Sequence, residues 1–197
     1  MKTTKLIGLA ALGAAAVIAL VGAPSALAEG STALCKADNE SPCVNNLITS
    51  VHGESVGKAT LLTSSFNIEC NVLFSGTAKL GNPAIITGNF TYSSCNSSCT
   101  VTEQNGPATI SVLRLGHELA DVTGEGQVKL TCAFGFVKCV YNGQGLQAHD
   151  LGPLLLTQPN GEVRLEEQKV NIVSGSCPAE AFLDFLTTPL TATYISS

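Results

Sequence analysis

The stretch Val128-Lys129-Leu130-Thr131-Cys132-Ala133-Phe134-Gly135-Phe136-Val137-Lys138-Cys139-Val140-Tyr141 constrains the fold more than any other. Apolar and polar side chains alternate on both sides of a glycine-bearing centre, the pattern of a hairpin with one buried face. A two-residue turn at Gly135-Phe136, the Gly-first arrangement of a type II′ turn, sets Phe134 opposite Val137, Cys132 opposite Cys139 and Leu130 opposite Tyr141. In that register Val128, Leu130, Cys132, Phe134, Val137, Cys139 and Tyr141 share one face. Lys129, Thr131, Ala133, Lys138 and Asn142 take the other, with Val140 the exception. Directly opposed strand residues lie within disulfide reach, so the register predicts a Cys132–Cys139 bridge.

Residues 1–28 read as a signal peptide: Lys2 and Lys5 form a positive start, Leu6 to Val21 an apolar run, and Ala26-Leu27-Ala28 a small-x-small cleavage site. Glu29, where an acylated lipoprotein would carry cysteine, argues against a lipid anchor. No later stretch approaches the ~18 unbroken apolar residues of a membrane helix, so no transmembrane anchor is expected after processing. Losing the leader removes two lysines and no acid, which leaves 8 Lys+Arg against 15 Asp+Glu. That acidic balance excludes the basic footprint a nucleic-acid partner requires.

All eight cysteines (Cys35, Cys43, Cys70, Cys95, Cys99, Cys132, Cys139 and Cys177) follow the leader, an even count in an exported chain. Four disulfides are the expectation. Cys35 and Cys43 enclose a polar segment with too little apolar surface to order itself, and they read as a local staple of an N-terminal arm over residues 29–55. With Cys132–Cys139 assigned, Cys70, Cys95, Cys99 and Cys177 allow three connectivities, of which two are weighed. One is Cys95–Cys99 with Cys70–Cys177, the preferred combination of a short staple with a long tie; the other is Cys70–Cys95 with Cys99–Cys177.

Residues 56–197 read as a single β domain. Phe66, Ile68, Cys70, Val72 and Phe74 alternate with Asn67, Glu69 and Asn71 as in a half-buried antiparallel strand. Strands are also expected within 57–64, 85–92, 100–102, 108–115 and 162–173. Turn signals stand at Gly81-Asn82-Pro83, Asn105-Gly106-Pro107 and Pro159-Asn160-Gly161. Glu180 to Leu186 fits a helical stripe or a strand, and its β-like continuation favours the strand. Runs of this spacing predict an all-β, disulfide-stapled antiparallel β-sandwich or partly open barrel.

Catalytic and metal chemistry finds little footing. Only Cys95 and Cys99 approach zinc-ligand spacing, and the exported context assigns them to disulfides. His52, His117 and His149 sit beside glycine or acid in turn-like contexts, and no G-x-S-x-G elbow accompanies them. Glu69, Glu103, Glu166 and Glu167 are acids available for a glycosidase pair, but nothing in their spacing makes them converge. Tyr92, Tyr141 and Tyr194 are mostly expected to face inward, which disfavours a glycan platform. Asn89-Phe90-Thr91 and Asn96-Ser97-Ser98 match the glycosylation sequon, incidental in the bacterial host that the short Ala-rich leader suggests. No cofactor fingerprint is present, so no cofactor, metal or catalytic residue is assigned.

The run from Cys99 to Pro107, Gly116-His117-Glu118, Thr123 to Gly126, the Cys132/Cys139 hairpin with Tyr141-Asn142-Gly143, and Gly152 to Leu155 resemble a group of secreted bacterial β proteins that carry no assigned activity. The resemblance spans most of the mature chain and implies an exported β protein; it transfers no catalytic residue. The reading is therefore a non-enzymatic, secreted or cell-wall-associated scaffold with an envelope or extracellular protein partner. The alternative is a binder of a small apolar ligand or glycan held in a sandwich or barrel interior, with a secreted hydrolase ranked last.

Overall fold

The computed structural model describes residues 31–36, 43, 46–96, 98–114, 120–150, 163–190 and 193–196. The strands are β1 (Ala33–Cys35), β2 (Ser50–Ser55), β3 (Ala59–Leu62), β4 (Asn67–Lys79), β5 (Ala84–Ser93), β6 (Thr100–Arg114), β7 (Ala120–Cys132), β8 (Val137–Asp150), β9 (Val163–Gly175), β10 (Glu180–Pro189) and β11 (Tyr194–Ser196). No α-helix occurs among the described residues. The segment Glu180–Pro189 is a strand, as its β-like continuation indicates.

From β4 to β10 each strand pairs antiparallel with the next, and β10 returns to pair with β2 and β3, which both pair with β4. β2 and β3 thus share one position in the wall, interrupted where Gly57 adopts φ +78°. The result is a closed eight-stranded antiparallel barrel, not a sandwich. Closure pairs every strand with a neighbour on each side over part of its length, and eight strands enclose an interior only wide enough for side chains or one small ligand. Alternation supplies the lining. On β4, Ile68, Cys70, Val72 and Phe74 are buried while Asn67, Asn71, Ser75, Thr77 and Lys79 are exposed, the inverse of a membrane-spanning barrel, whose apolar residues face outward.

One end of the barrel carries the β3–β4, β5–β6, β7–β8 and β9–β10 connections and three disulfides: Cys70–Cys95, Cys99–Cys132 and Cys139–Cys177. Cys35–Cys43 forms as its spacing indicates. The Cys132–Cys139 and Cys95–Cys99 bridges do not exist, nor do Cys70–Cys177 or Cys99–Cys177; Cys70–Cys95 is the shared element with the second arrangement. The reason lies in the hairpin. Its connection is a four-residue turn, Ala133 to Phe136, with the Phe136 N–H donating to the Ala133 carbonyl at 3.2 Å. Cys132 therefore faces Val137, Leu130 faces Cys139 and Val128 faces Tyr141.

A two-residue slip leaves every strand side chain on its own face but changes every partner. Leu130, Cys132, Cys139 and Tyr141 are accordingly buried, whereas Phe134 stands at the tip, 100% exposed. Continuing the β6–β7 ladder one residue beyond Thr100↔Thr131 brings Cys99 opposite Cys132. Direct cross-strand opposition does make a disulfide, across a neighbouring pair of strands.

The opposite end is closed by the short β1–β11 sheet. Leu34 and Ile195 pack there with Phe74, Ala84, Ile86, Val112 and Val122. Thr32 exchanges backbone hydrogen bonds with Gly81, and its hydroxyl accepts from the Arg114 N–H at 3.1 Å. The segment read as an N-terminal arm thus supplies this plug and, through β2, part of the wall. The Gly81-Asn82-Pro83 turn joins β4 to β5. Asn105-Gly106-Pro107, expected as a turn between strands, is instead an exposed bulge inside the single strand β6.

Candidate ligand cavity

Large side chains fill both ends of the barrel: Leu61, Ile68, Leu130, Tyr141 and Val170 at the disulfide end, and the Phe74–Ile86–Val112 cluster at the other. Between them the lining includes Ala108, Gly124, Gly126, Gly143 and Ala148, which have little or no side chain to project inward. The wall therefore encloses a cavity of about 250 Å³. That is roughly eight times the ~30 Å³ a water molecule occupies in the liquid. Apolar side chains dominate its surface, with Phe74, Phe90 and Phe185 forming an aromatic wall. The Phe74 and Phe90 ring centroids are 4.8 Å apart, and Phe185 meets Phe90 edge-on at 6.2 Å.

Two polar groups from the β5–β6 side stand in this lining, Tyr92 and Glu103. Their placement follows from the bulge. The β5–β6 ladder runs only from Ala84↔Val112 to Gly88↔Ala108. Beyond it Asn105 (φ +62°) and Gly106 (φ +95°) carry β6 outward, and Thr100–Gln104 pair with β7 instead. Glu103 reaches into the gap: Oε1 accepts the Ala108 N–H at 3.1 Å, and the carboxylate also accepts the Phe90 N–H. It thereby gives an acceptor to two strand amides at and just beyond the last rung of the β5–β6 ladder, Gly88↔Ala108.

Burial raises the Glu103 carboxyl above its ordinary value, against the opposing pull of those two N–H groups. Tyr92 is half-buried, and burial, reinforced by the Glu103 charge, pushes its hydroxyl well above the usual tyrosine range. Among the described residues no hydrogen bond is made to that hydroxyl. Tyr141 differs: its hydroxyl donates to the Pro178 carbonyl at 2.8 Å, and burial alone raises it.

The other residues considered for chemistry do not assemble. His52, an exposed residue of β2 that reaches the cavity lining, has Nε2 3.1 Å from Ser50 Oγ and no carboxylate hydrogen-bonded to the ring among the described residues. His117 lies outside the described residues, and His149 is placed only by its backbone pairing with Arg164. Glu69 accepts from Asn67 Nδ2, and Glu166 pairs with Arg164 at 3.3 Å. Of Glu69, Glu103, Glu166 and Glu167, only Glu103 lines the cavity. No His, Cys, Asp and Glu cluster among the described residues could hold a metal ion. All eight cysteines are in disulfides, a chemistry of oxidising compartments.

No family model, curated protein or solved structure matches this chain. The cavity, with Tyr92 and Glu103 among the polar residues of a lining that also includes His52, Glu125 and Gln127, is the feature on which a functional reading rests. Glu103 is visible in the sequence as the third member of an inward series, Cys99, Val101, Glu103, but only the bulge explains what a carboxylate does there.

Proposed function

We propose that the protein is an exported binder that holds a small, mainly apolar molecule inside its barrel without transforming it. The observation that carries this reading is the apolar cavity of about 250 Å³ in the centre of a closed barrel. Eight-stranded barrels can hold one small ligand in this way. The volume falls just below the range of about 300–1,000 Å³ common for ligand sites, and the lining has the usual composition of such sites, apolar with few polar groups. The disulfides support an extracellular or envelope setting, in which a rigid, stapled container would survive proteases.

A second reading, an interaction scaffold, draws on the tip of the β7–β8 hairpin, where Phe134 and Phe136 are 100% and 89% exposed. The cavity favours the container. It also explains why the inward positions of the mid-barrel are occupied by glycine and alanine, which a solid scaffold has no reason to use.

The test is fluorescence titration of the oxidised chain with the neutral apolar probe N-phenyl-1-naphthylamine, compared with the variant Gly124→Leu. Gly124 lies on the inward side with Val122, and a Cβ added there meets nothing within 4 Å. Leucine should therefore fill the cavity without a backbone clash. Saturable one-to-one binding, weakened by about tenfold or more in the variant, supports the reading; tenfold corresponds to about 1.4 kcal/mol. Absence of binding, or equal binding by a folded Gly124→Leu chain, overturns it.

A further inference from the structure

The wall of the barrel has an unpaired seam between β5 and β6, besides the interruption of the β8–β9 ladder between Asn142↔Asn171 and His149↔Arg164. β5 continues from Gly88 to Ser93 and β6 begins at Thr100, yet no ladder joins residues 89–93 to residues 100–104 among the described residues. This seam is built into the fold: the β5 side remains paired with β4 up to Asn71↔Ser93, and the β6 side remains paired with β7 up to Thr100↔Thr131. Just beyond, the Cys70–Cys95 and Cys99–Cys132 disulfides tie each side to its own neighbour. The two flanks are therefore held to β4 and β7 by ladders and disulfides, and to each other by the Glu103 carboxylate that accepts the Phe90 N–H. Phe90 and Tyr92 from one flank, and Val101, Glu103 and Ala108 from the other, all line the cavity.

We propose that the seam holds the head group of the ligand and that Glu103 selects an apolar molecule carrying a single protonated amine. The proposal rests on the container reading above and names its ligand class. A carboxylate offers about four lone-pair sites, and the Ala108 and Phe90 amides occupy two of them. No lysine or arginine pairs with Glu103 among the described residues. The adjacent Tyr92 hydroxyl, without a hydrogen-bond partner there, is free to turn its oxygen toward the same ligand proton. A negative charge at the edge of an apolar cavity, with acceptor capacity to spare, attracts an ammonium group and repels a carboxylate. Charge-assisted hydrogen bonds of this kind are roughly twice as strong as neutral ones.

Glu103 also has a structural duty in capping the two amides. Glutamine keeps a carbonyl oxygen for the Ala108 N–H without the charge, so Glu103→Gln removes charge selection while retaining that cap. The experiment displaces N-phenyl-1-naphthylamine from the full oxidised chain with decylamine and with decanoate, in the natural protein and in Glu103→Gln.

The expected result is that decylamine displaces the probe about tenfold more effectively than decanoate. In the variant that preference should vanish. If decylamine and decanoate compete equally in the natural chain, or if a folded Glu103→Gln chain keeps the preference, the head-group assignment falls and the container stands. If the probe itself does not bind the natural chain, the container reading falls and takes this one with it. If the variant does not fold, the decylamine-to-decanoate ratio of the natural chain decides: a marked preference upholds the assignment and parity overturns it.

Discussion

The Tyr141 hydroxyl donates to the Pro178 carbonyl at 2.8 Å, one residue from the point where Cys177 bonds Cys139 of the same β8 strand. Two side chains of β8, both facing inward, thus anchor the turn between β9 and β10. Removing the hydroxyl in Tyr141→Phe leaves the ring packing and the disulfide in place. The expected loss is that of one hydrogen bond, about 1 kcal/mol, read as a lower urea midpoint with an unchanged slope. A loss of several kcal/mol would mean that the hydroxyl, and not the disulfide, holds the turn.

The disulfides should differ in worth according to the length of chain they close. Cys99–Cys132 spans 33 positions and Cys35–Cys43 spans 8. By the chain-entropy argument, replacing the first pair with serines costs about 3–4 kcal/mol and the second about 2–3 kcal/mol. Peptide mapping of the unreduced chain should recover the Cys99–Cys132 and Cys139–Cys177 linkages. A Cys132–Cys139 linked peptide would contradict the observed hairpin register.

Gly76 and Gly88 face each other across β4 and β5, and the Phe74 ring lies against both. A Cβ on Gly88 would stand 2.5 Å from Gly76 Cα and 2.6 Å from Phe74 Cζ, so it meets backbone as well as a ring edge. Gly88→Ala is expected to destabilise by about 1–3 kcal/mol through overpacking. Gly124→Ala, placed where no atom lies within 4 Å, should be neutral or slightly stabilising. Thermal midpoints of the two variants check the contrast, and similar shifts in both would refute it.

These three sets of residues also mark how far the fold can be read from the chain. Alternation along Ile68, Cys70, Val72 and Phe74 identifies a buried face because the strand period is two whatever the partner. The same property hides register: a slip of two residues leaves Leu130, Cys132, Cys139 and Tyr141 inward while exchanging every cross-strand neighbour, so cysteine pairing is invisible to the face pattern. Closure is hidden for another reason. β10 returns to β2 and β3 across more than a hundred residues of chain, and no local signal encodes that pairing. At the site, the inward parity of Glu103 is legible from Cys99 and Val101. Its duty is not, since the Asn105-Gly106-Pro107 signal fits a turn between two strands as well as a bulge within one.

Tyr92 gives the cavity a signature in alkaline solution. Burial, and then the Glu103 charge, hold its hydroxyl protonated beyond the ordinary tyrosine value of about 10. In the unfolded chain the same hydroxyl ionises near that ordinary value. Above it the folded state binds more protons than the unfolded state, so stability falls as pH rises. Below the ordinary value both states are protonated, and this contribution is fully present. Denaturant unfolding between about pH 9 and pH 12 should therefore show a progressive loss of stability that Tyr92→Phe reduces. Tyr141, also raised by burial, supplies a loss that remains in that variant. If Tyr92→Phe follows the natural chain at every alkaline pH, Tyr92 ionises freely in the folded state and does not face a closed apolar interior.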